Sequence, residues 1–399
     1  MKALDGITIL DLTHMLSGPY GTMLLADLGA TTIKVEPPGR GEGTRKLLAT
    51  AEDYSLNGMG AYFLTLARNK QSVCIDLKSE EGLQLFYRMV EKADIVFDNF
   101  SAGVTERLKI NHDRLAEINP GIITCTITGF GETGPDTQRP AFDQVIQGMG
   151  GGMSITGHPD SDPVRSGIPI GDLAGGMFGA MGVLAALAAR ERTGRGQHVD
   201  VSMLDCQISL LNYMATMFFL SGKNPERLGN AHFVHVPYNT FKTADDYIII
   251  AVIFDSFWDN LLEVIDVPEL KDEKYRTQPG RFADRDFINE KIEEVLVTKP
   301  AKYWLEQLRA KRIPCAPVNN FEQALSDPQV VFRNMVVNVA HPEGGEVRMP
   351  GNPMKMSETG EESYAPPPLL GQQTDQVLAE VLGLSEDEIA ALREAGVVA

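Results

Sequence analysis

The chain opens with Ile7-Thr8-Ile9-Leu10-Asp11-Leu12, a short run of apolar and β-branched residues that predicts a buried strand. Residues 20–28 follow with the small and aliphatic side chains of a helix, stopped by Gly29, and residues 31–35 repeat the strand signal. The alternation continues with strands predicted over 72–77, 94–97 and 122–128 and helices over 82–92 and 104–108. Strands spaced by helices imply right-handed crossovers and a parallel sheet covered on both faces. The fold class is therefore α/β, doubly wound, for this part of the chain.

Further on, residues 172–192 form a long helical pattern whose first half is crowded with Gly and Ala, so neighbouring backbone can approach closely. Thr193-Gly194-Arg195-Gly196 stops it; a strand (198–201) and an apolar helix (203–220) follow. Ser221-Gly222-Lys223-Asn224-Pro225 reads as a linker. A second unit begins near Tyr238, with a strand at 247–252 and helices at 258–265, 287–297 and 302–310. Residues 313–318 are expected to lead back to the first unit, and the tail ends in two short helices, 373–382 and 386–395.

Length and composition narrow the function classes. The 399 residues suggest two or three domains, and 36 Lys+Arg against 54 Asp+Glu leave a formal net charge of -18. So acidic a surface repels phosphate backbones and anionic lipid, which disfavours nucleic-acid and membrane partners. Four scattered cysteines (Cys74, Cys125, Cys206, Cys315) argue against a disulfide framework or a zinc site. The N-terminal residues lack the apolar core of a signal peptide, and residues 208–220, the nearest approach to a membrane span, read as a short buried helix. A soluble cytoplasmic protein without a metal site is the expectation.

Several motifs fail. Gly129-Phe130-Gly131-Glu132-Thr133-Gly134 matches a dinucleotide fingerprint, but Pro135 and a polar run stand where a helix must open toward the pyrophosphate. It is better described as a glycine-rich loop, and a NAD-dependent dehydrogenase stays a rival reading. No phosphate-binding loop, nucleophile elbow or zinc-protease helix occurs. Asp172, in Ser166-Gly167-Ile168-Pro169-Ile170-Gly171-Asp172, admits two readings: a helix cap, or a carboxylate nucleophile faced by backbone donors that stabilise developing charge. Lys34, Arg40, Arg45, Arg68, Lys70, Lys78 and Arg107 form a basic set that could hold phosphates or be solvated surface. Phe142 and Asp143 begin a helical pattern, where the plain reading is a core residue beside a cap.

Taken together, the motifs resemble the class III CoA-transferases, the CaiB/BaiF family, along nearly the whole chain. The matching stretches include Leu4-Asp5-Gly6-Ile7, Ser17-Gly18-Pro19, Leu25-Ala26-Asp27-Leu28-Gly29-Ala30, Ile33-Lys34-Val35-Glu36-Pro37 and Asp98-Asn99-Phe100. Pro169-Ile170-Gly171-Asp172, Thr193-Gly194-Arg195-Gly196-Gln197 and Pro237-Tyr238 continue the match. The resemblance implies that Asp172 is the catalytic nucleophile, which forms an aspartyl anhydride and then an aspartyl-CoA thioester. It places Lys78, Asn99, Phe100 and Arg107 at the CoA site, with Leu16, Ser17, Phe142 and Asp143 also at the substrate site. Coenzyme A thioester enters as substrate, with no permanently bound cofactor. The resemblance also implies an interlocked homodimer, and a Rossmann-like large domain built from both chain ends (1–224 and 326–399) around a smaller α+β domain (225–325).

Two departures refine the expectation. Leu16 stands where the formyl-CoA/oxalate branch has Gln, and 221–238 has no room for that branch's tetraglycine insertion, which disfavours oxalate as acceptor. The racemases of the same fold pair the aspartate with a histidine, where this chain has Phe142, and one carboxylate cannot serve both faces of an α-carbon. Succinyl-CoA is the favoured donor. An acyl-CoA racemase or isomerase and a non-catalytic partner subunit are the further alternatives.

Overall fold

The computed structural model describes residues 2–399. Six strands form one parallel sheet: β1 (Thr8–Asp11), β2 (Thr31–Glu36), β3 (Lys70–Cys74), β4 (Ile95–Asp98), β5 (Ile123–Thr128) and β6 (His198–Ser202). Their spatial order is β3-β2-β1-β4-β5-β6, every neighbouring pair parallel, which is the order of the doubly wound nucleotide-binding fold. The fold is α/β.

The period of two along each strand sends alternate side chains to opposite faces. Leu10, Ile33, Val73 and Val96 join one buried cluster, whereas Ile9, Ile95, Phe97 and Ile127 join another. The first face is covered by α2 (Glu80–Val90) and α3 (His112–Ile118). The end of the chain returns to the same face, where Leu378 and Ile389 join the cluster. Backbone bonds from Asp76 to Val397 and from Gln373 to Ser72 tie this tail down.

The second face carries α1 (Ser17–Asp27), α4 (Asp143–Met149) and α5 (Ile170–Thr193). The small residues of α5 serve close packing: a Cβ at Gly176 would lie 2.5 Å from the Ser17 carbonyl oxygen, and one at Gly21 2.9 Å from that of Gly176. Helix α5 is the one long and apolar enough to cross a membrane among the described residues, and it buries Ala174, Gly179 and Val183 inside the fold.

The apolar stretch after β6 is not one buried helix. It breaks at Asn212, held at φ 47°, into α6 (Met203–Leu211) and α7 (Tyr213–Ser221), bent by 70°. No residue of α7 is buried in the single chain, and Phe219 and Leu220 stand 79% and 84% exposed.

By compactness the chain divides into two units. The first takes the chain as far as Gly152, then Arg165–Ser221 and Gln329–Ala399; the second takes Met153–Val164 and Gly222–Pro328. The second unit holds an antiparallel sheet of β7 (Tyr238–Lys242), β8 (Tyr247–Ala251) and β9 (Cys315–Pro317), with β8 central. Helices α8 (Asp255–Ile265), α9 (Arg285–Leu296) and α10 (Ala301–Ala310) bury Trp258, Ile292 and Leu308 against it. Residues 313–318, expected to leave this unit, supply its edge strand instead. Back in the first unit, β10 (Val336–Ala340) and β11 (Glu346–Pro350) form a hairpin, and α11 (Thr374–Leu382) and α12 (Glu386–Glu394) close the chain.

Candidate active site

Strand order reverses between β1 and β4, so the crossovers leave in opposite directions and open a crevice at the carboxyl ends of these strands. Two loops meet there. Asn99, just after β4, accepts from the His14 backbone N–H at 2.7 Å and donates to its carbonyl at 2.8 Å. Asp98 supports the turn beneath, accepting from the Phe100 N–H at 3.1 Å and from the Thr126 hydroxyl at 2.9 Å. Burial pushes the Asp98 carboxyl up to about 7.

Beside this clip lies a cleft of about 390 Å³ lined by His14, Pro37, Arg40, Lys78 and Phe100, among others. Burial and the nearby Lys34 ammonium depress the His14 imidazole to about 4, so it is neutral at physiological pH. The exposed Arg40 and Lys78 are then the cleft's cations. Arg107 is exposed on the short helix Val104–Arg107; its neighbour Leu108, rather than Arg107 itself, lines the cleft.

Four of the seven basic residues grouped from sequence are interior and already paired. Lys70 meets Asp11 at 2.8 Å, Lys34 donates to the Thr13 carbonyl at 2.7 Å, Arg45 grips both oxygens of Glu36 and Arg68 both oxygens of Asp27. They hold the fold together and leave Arg40, Lys78 and Arg107 for anions. The signal was present in the sequence: Asp11 and Glu36 sit in apolar strands, and a buried carboxylate needs a buried partner.

Asp172 lies in the first turn of α5, which also starts at the carboxyl end of the sheet. The cap reading is corrected here: Pro169 occupies the cap position and Asp172 is the third helical residue. The capping carboxylate belongs to Asp143, whose Oδ1 accepts from the backbone N–H of Gly171 at 2.8 Å and of Asp172 at 3.3 Å. Its Oδ2 accepts from the Gln147 amide at 2.7 Å, and Gln147 Oε1 accepts from the Ser166 N–H at 2.9 Å. The helix donors expected to face a developing charge are thus engaged by Asp143. Among the described residues, the Asp172 carboxylate itself accepts no hydrogen bond. Burial, with the Asp143 charge adding to it, pushes Asp172 up to about 6.

The remaining candidates separate. Ser17 is buried at the start of α1, where the second turn of α5 packs on it, and Leu16 precedes it. Phe142 precedes α4 and is 69% exposed, so it is no core residue. After Gly134 the chain makes turns and reaches a helix only at Asp143, so residues 129–134 lack a helix N-terminus for a pyrophosphate. No group of three or more His, Cys, Asp or Glu is arranged to hold a metal among the described residues. His14, Asp98 and Gln147 were not legible as site residues, because their roles arise only where loops from distant strands converge.

Comparison with known proteins agrees with this architecture. The model of CoA-transferase family III matches residues 4–374. An acetyl-CoA:oxalate CoA-transferase of Acetobacter aceti is 40% identical, covering 88% of this chain and 89% of its own. The human succinyl-CoA:glutarate CoA-transferase is 36% identical over 100% of this chain and 90% of its own. A crystal structure of a CaiB/BaiF family protein from Brucella suis superposes with a TM-score of 0.85 at 35% identity, covering 95% of this chain and 99% of that one. A doubly wound sheet, a cleft at its point of reversal and a whole-length family match lead to one conclusion: the chain belongs to CoA-transferase family III and is a transferase enzyme.

Proposed function

We propose that this enzyme moves CoA from succinyl-CoA to a second carboxylic acid, with Asp172 as the nucleophile. The observation that carries the reading is the Asp172 carboxylate: half-buried, with its oxygens accepting no hydrogen bond among the described residues, and with its pKa raised to about 6 by its surroundings. A carboxylate whose proton affinity is raised is also a stronger nucleophile, and loses less hydration on reaching the substrate carbonyl.

In the first step an Asp172 oxygen attacks the thioester carbonyl of the donor; the C–S bond breaks, giving a mixed anhydride and CoA thiolate. The thiolate then attacks the aspartyl carbonyl, the C–O bond to succinate breaks, and aspartyl-CoA thioester remains. An acceptor carboxylate attacks that thioester to form a new anhydride and release the thiolate. Finally the thiolate attacks the acceptor carbonyl, giving the new acyl-CoA and free Asp172. The overall exchange trades one CoA thioester for another of similar energy, so it needs no ATP.

For CoA itself we assign the cleft beside His14. Lys78 and Arg40 meet phosphates there, Phe100 and the neutral His14 offer ring surface, and Asn99 fixes the loop on which His14 sits. Arg107 at the cleft's margin, and Leu16, Ser17 and Phe142 near the nucleophile's helix, complete the assigned substrate contacts. Two copies of the chain form the working enzyme in this reading, supported by the exposed apolar surface of α7.

Relatives named for glutarate, mesaconate and oxalate match 100%, 95% and 88% of this chain respectively. The oxalate-named relative keeps oxalate among the acceptors to be tried, although Leu16 disfavours it. The test incubates the enzyme with succinyl-CoA or acetyl-CoA and a panel of acids: glutarate, mesaconate, oxalate and longer dicarboxylates. The reading expects acceptor-dependent formation of a new acyl-CoA that Asp172→Asn abolishes. Exchange retained by Asp172→Asn, or acceptor-independent uptake of deuterium at the α-carbon, overturns it.

A further inference from the structure

An aspartate in the first turn of a helix has a default fate. Its carboxylate folds back onto the unpaired backbone N–H groups of that turn, gaining hydrogen bonds and the favourable field of the helix end. That arrangement lowers a carboxylate's basicity and occupies its oxygens. Asp172 does not adopt it. The N–H groups of Gly171 and Asp172 both point at Asp143, and the Ile170 N–H is taken by the Ile168 carbonyl.

We infer that Asp143 is the positioning residue for Asp172: it occupies the backbone donors at the start of α5 and so leaves the Asp172 carboxylate free to react. This inference rests on the reading of Asp172 as nucleophile, and gives Asp143 a role other than contact with substrate. Asp143 is itself fixed for the task. It begins α4, and one turn later the buried Gln147 holds its second oxygen while bracing the Ser166 N–H that leads into α5. A Cβ at Gly171 would come within 3.0 Å of Asp143 Oδ1, so the glycine admits the carboxylate to the backbone.

Asp143 acts on Asp172 in a second way, through its charge. Around the first turns of α5 stand Ser17, Tyr20 and Gly21 from α1, Asp143 and Ile146 from α4, Met203 from α6 and Ile127 from β5. Asp143 is the carboxylic acid side chain among these. Its negative charge adds to burial in raising the proton affinity of Asp172.

Three variants test the assignment by the rate of CoA adduct formation on the enzyme, measured from pH 4.5 to 8.5 alongside kcat and KM. Asp143→Asn keeps an oxygen for the two N–H groups but removes the charge, trading one bond at Gln147. It should retain cap and fold, and the acid limb of adduct formation should move to lower pH. Asp143→Ala frees the helix donors for Asp172, so kcat should fall at least tenfold with little change in the KM for the CoA thioester. Asp172→Asn reports separately on the nucleophile: activity there removes the underlying reading, whatever Asp143 does. With that control inactive, an unshifted acid limb in Asp143→Asn overturns the inference even if Asp143→Ala fails to fold. An unchanged kcat in a folded Asp143→Ala overturns it equally.

Discussion

The side-chain amide of Asn99 holds the backbone of His14 by both its groups, accepting from the N–H at 2.7 Å and donating to the carbonyl at 2.8 Å. Two residues 85 positions apart are thereby locked across the point where the sheet reverses, at the wall of the proposed CoA cleft. Each bond contributes about 0.5–1.5 kcal/mol. Asn99→Ala should therefore weaken CoA binding by roughly tenfold, read by calorimetry, while the fold persists. Unchanged affinity would show that the His14 loop is held by other means.

Lys70 and Asp11 form an ion pair that is fully removed from solvent. Removing one partner of such a pair strands the other charge, at a cost of about 3–5 kcal/mol. Lys70→Met should lower the urea midpoint accordingly. Burial alone would raise the Asp11 carboxyl, but Lys34 and Lys70 outweigh it and hold it far below the ordinary range. A carboxylate with a depressed folded-state pKa contributes stability that is complete at neutral pH and lost only as pH falls into strong acid. Mild acidification should leave this network intact.

Asp172 must be ionised to attack, so kcat/KM should fall about tenfold per unit below pH 6, where its carboxyl titrates. The sign for stability is opposite to that of Asp11. A folded-state pKa above the unfolded value means the folded protein binds the extra proton as pH falls through about 6, and the ionised form strains the fold above it. Asp172→Asn, inactive, should accordingly melt at a higher temperature than the parent at pH 7.5. A lower melting temperature would place Asp172 among the stabilising groups.

Helices α1 and α5 meet through backbone, with Gly176 against the Ser17 carbonyl. Gly176→Val forces these helices apart, and overpacking of this kind costs about 1–3 kcal/mol. Because Ser17 begins α1 at the site, the variant should lose activity beyond its loss of stability. Retained kcat in the folded fraction would separate helix packing from catalysis.

Phe219 and Leu220 present an exposed apolar surface on α7. The proposed assembly of two chains would cover this surface, so Phe219→Asp with Leu220→Asp should shift the protein toward monomer in sedimentation. A parent protein that already sediments as monomer would contradict the two-chain reading.

Much of the architecture is legible from residue pattern alone. The β-branched runs at 7–12, 31–35 and 122–128 are buried strands, and Gly29 and Gly194 end their helices in left-handed conformation. What escapes the pattern depends on contacts between distant segments. Residues 153–164 join the second unit without any local signal. Asn212 bends an otherwise continuous apolar helix, because a single positive φ outweighs the hydropathy on either side. Lys34 and Lys70 read as surface charge until Asp11 is seen between them. At the site, the position of Asp172 near a helix start is plain from sequence, but its freedom from that helix depends on Asp143, 29 residues earlier.

A covalent bond from Asp172 to the acyl or CoA group is open to chemical trapping. The enzyme is mixed with succinyl-CoA without acceptor, reduced with borohydride, digested and mapped by mass spectrometry. The expected result is loss of one carboxyl oxygen at Asp172, reduced to the alcohol, and none of this in samples lacking succinyl-CoA. Full exchange activity with an unmodified Asp172 peptide under the same conditions would contradict it.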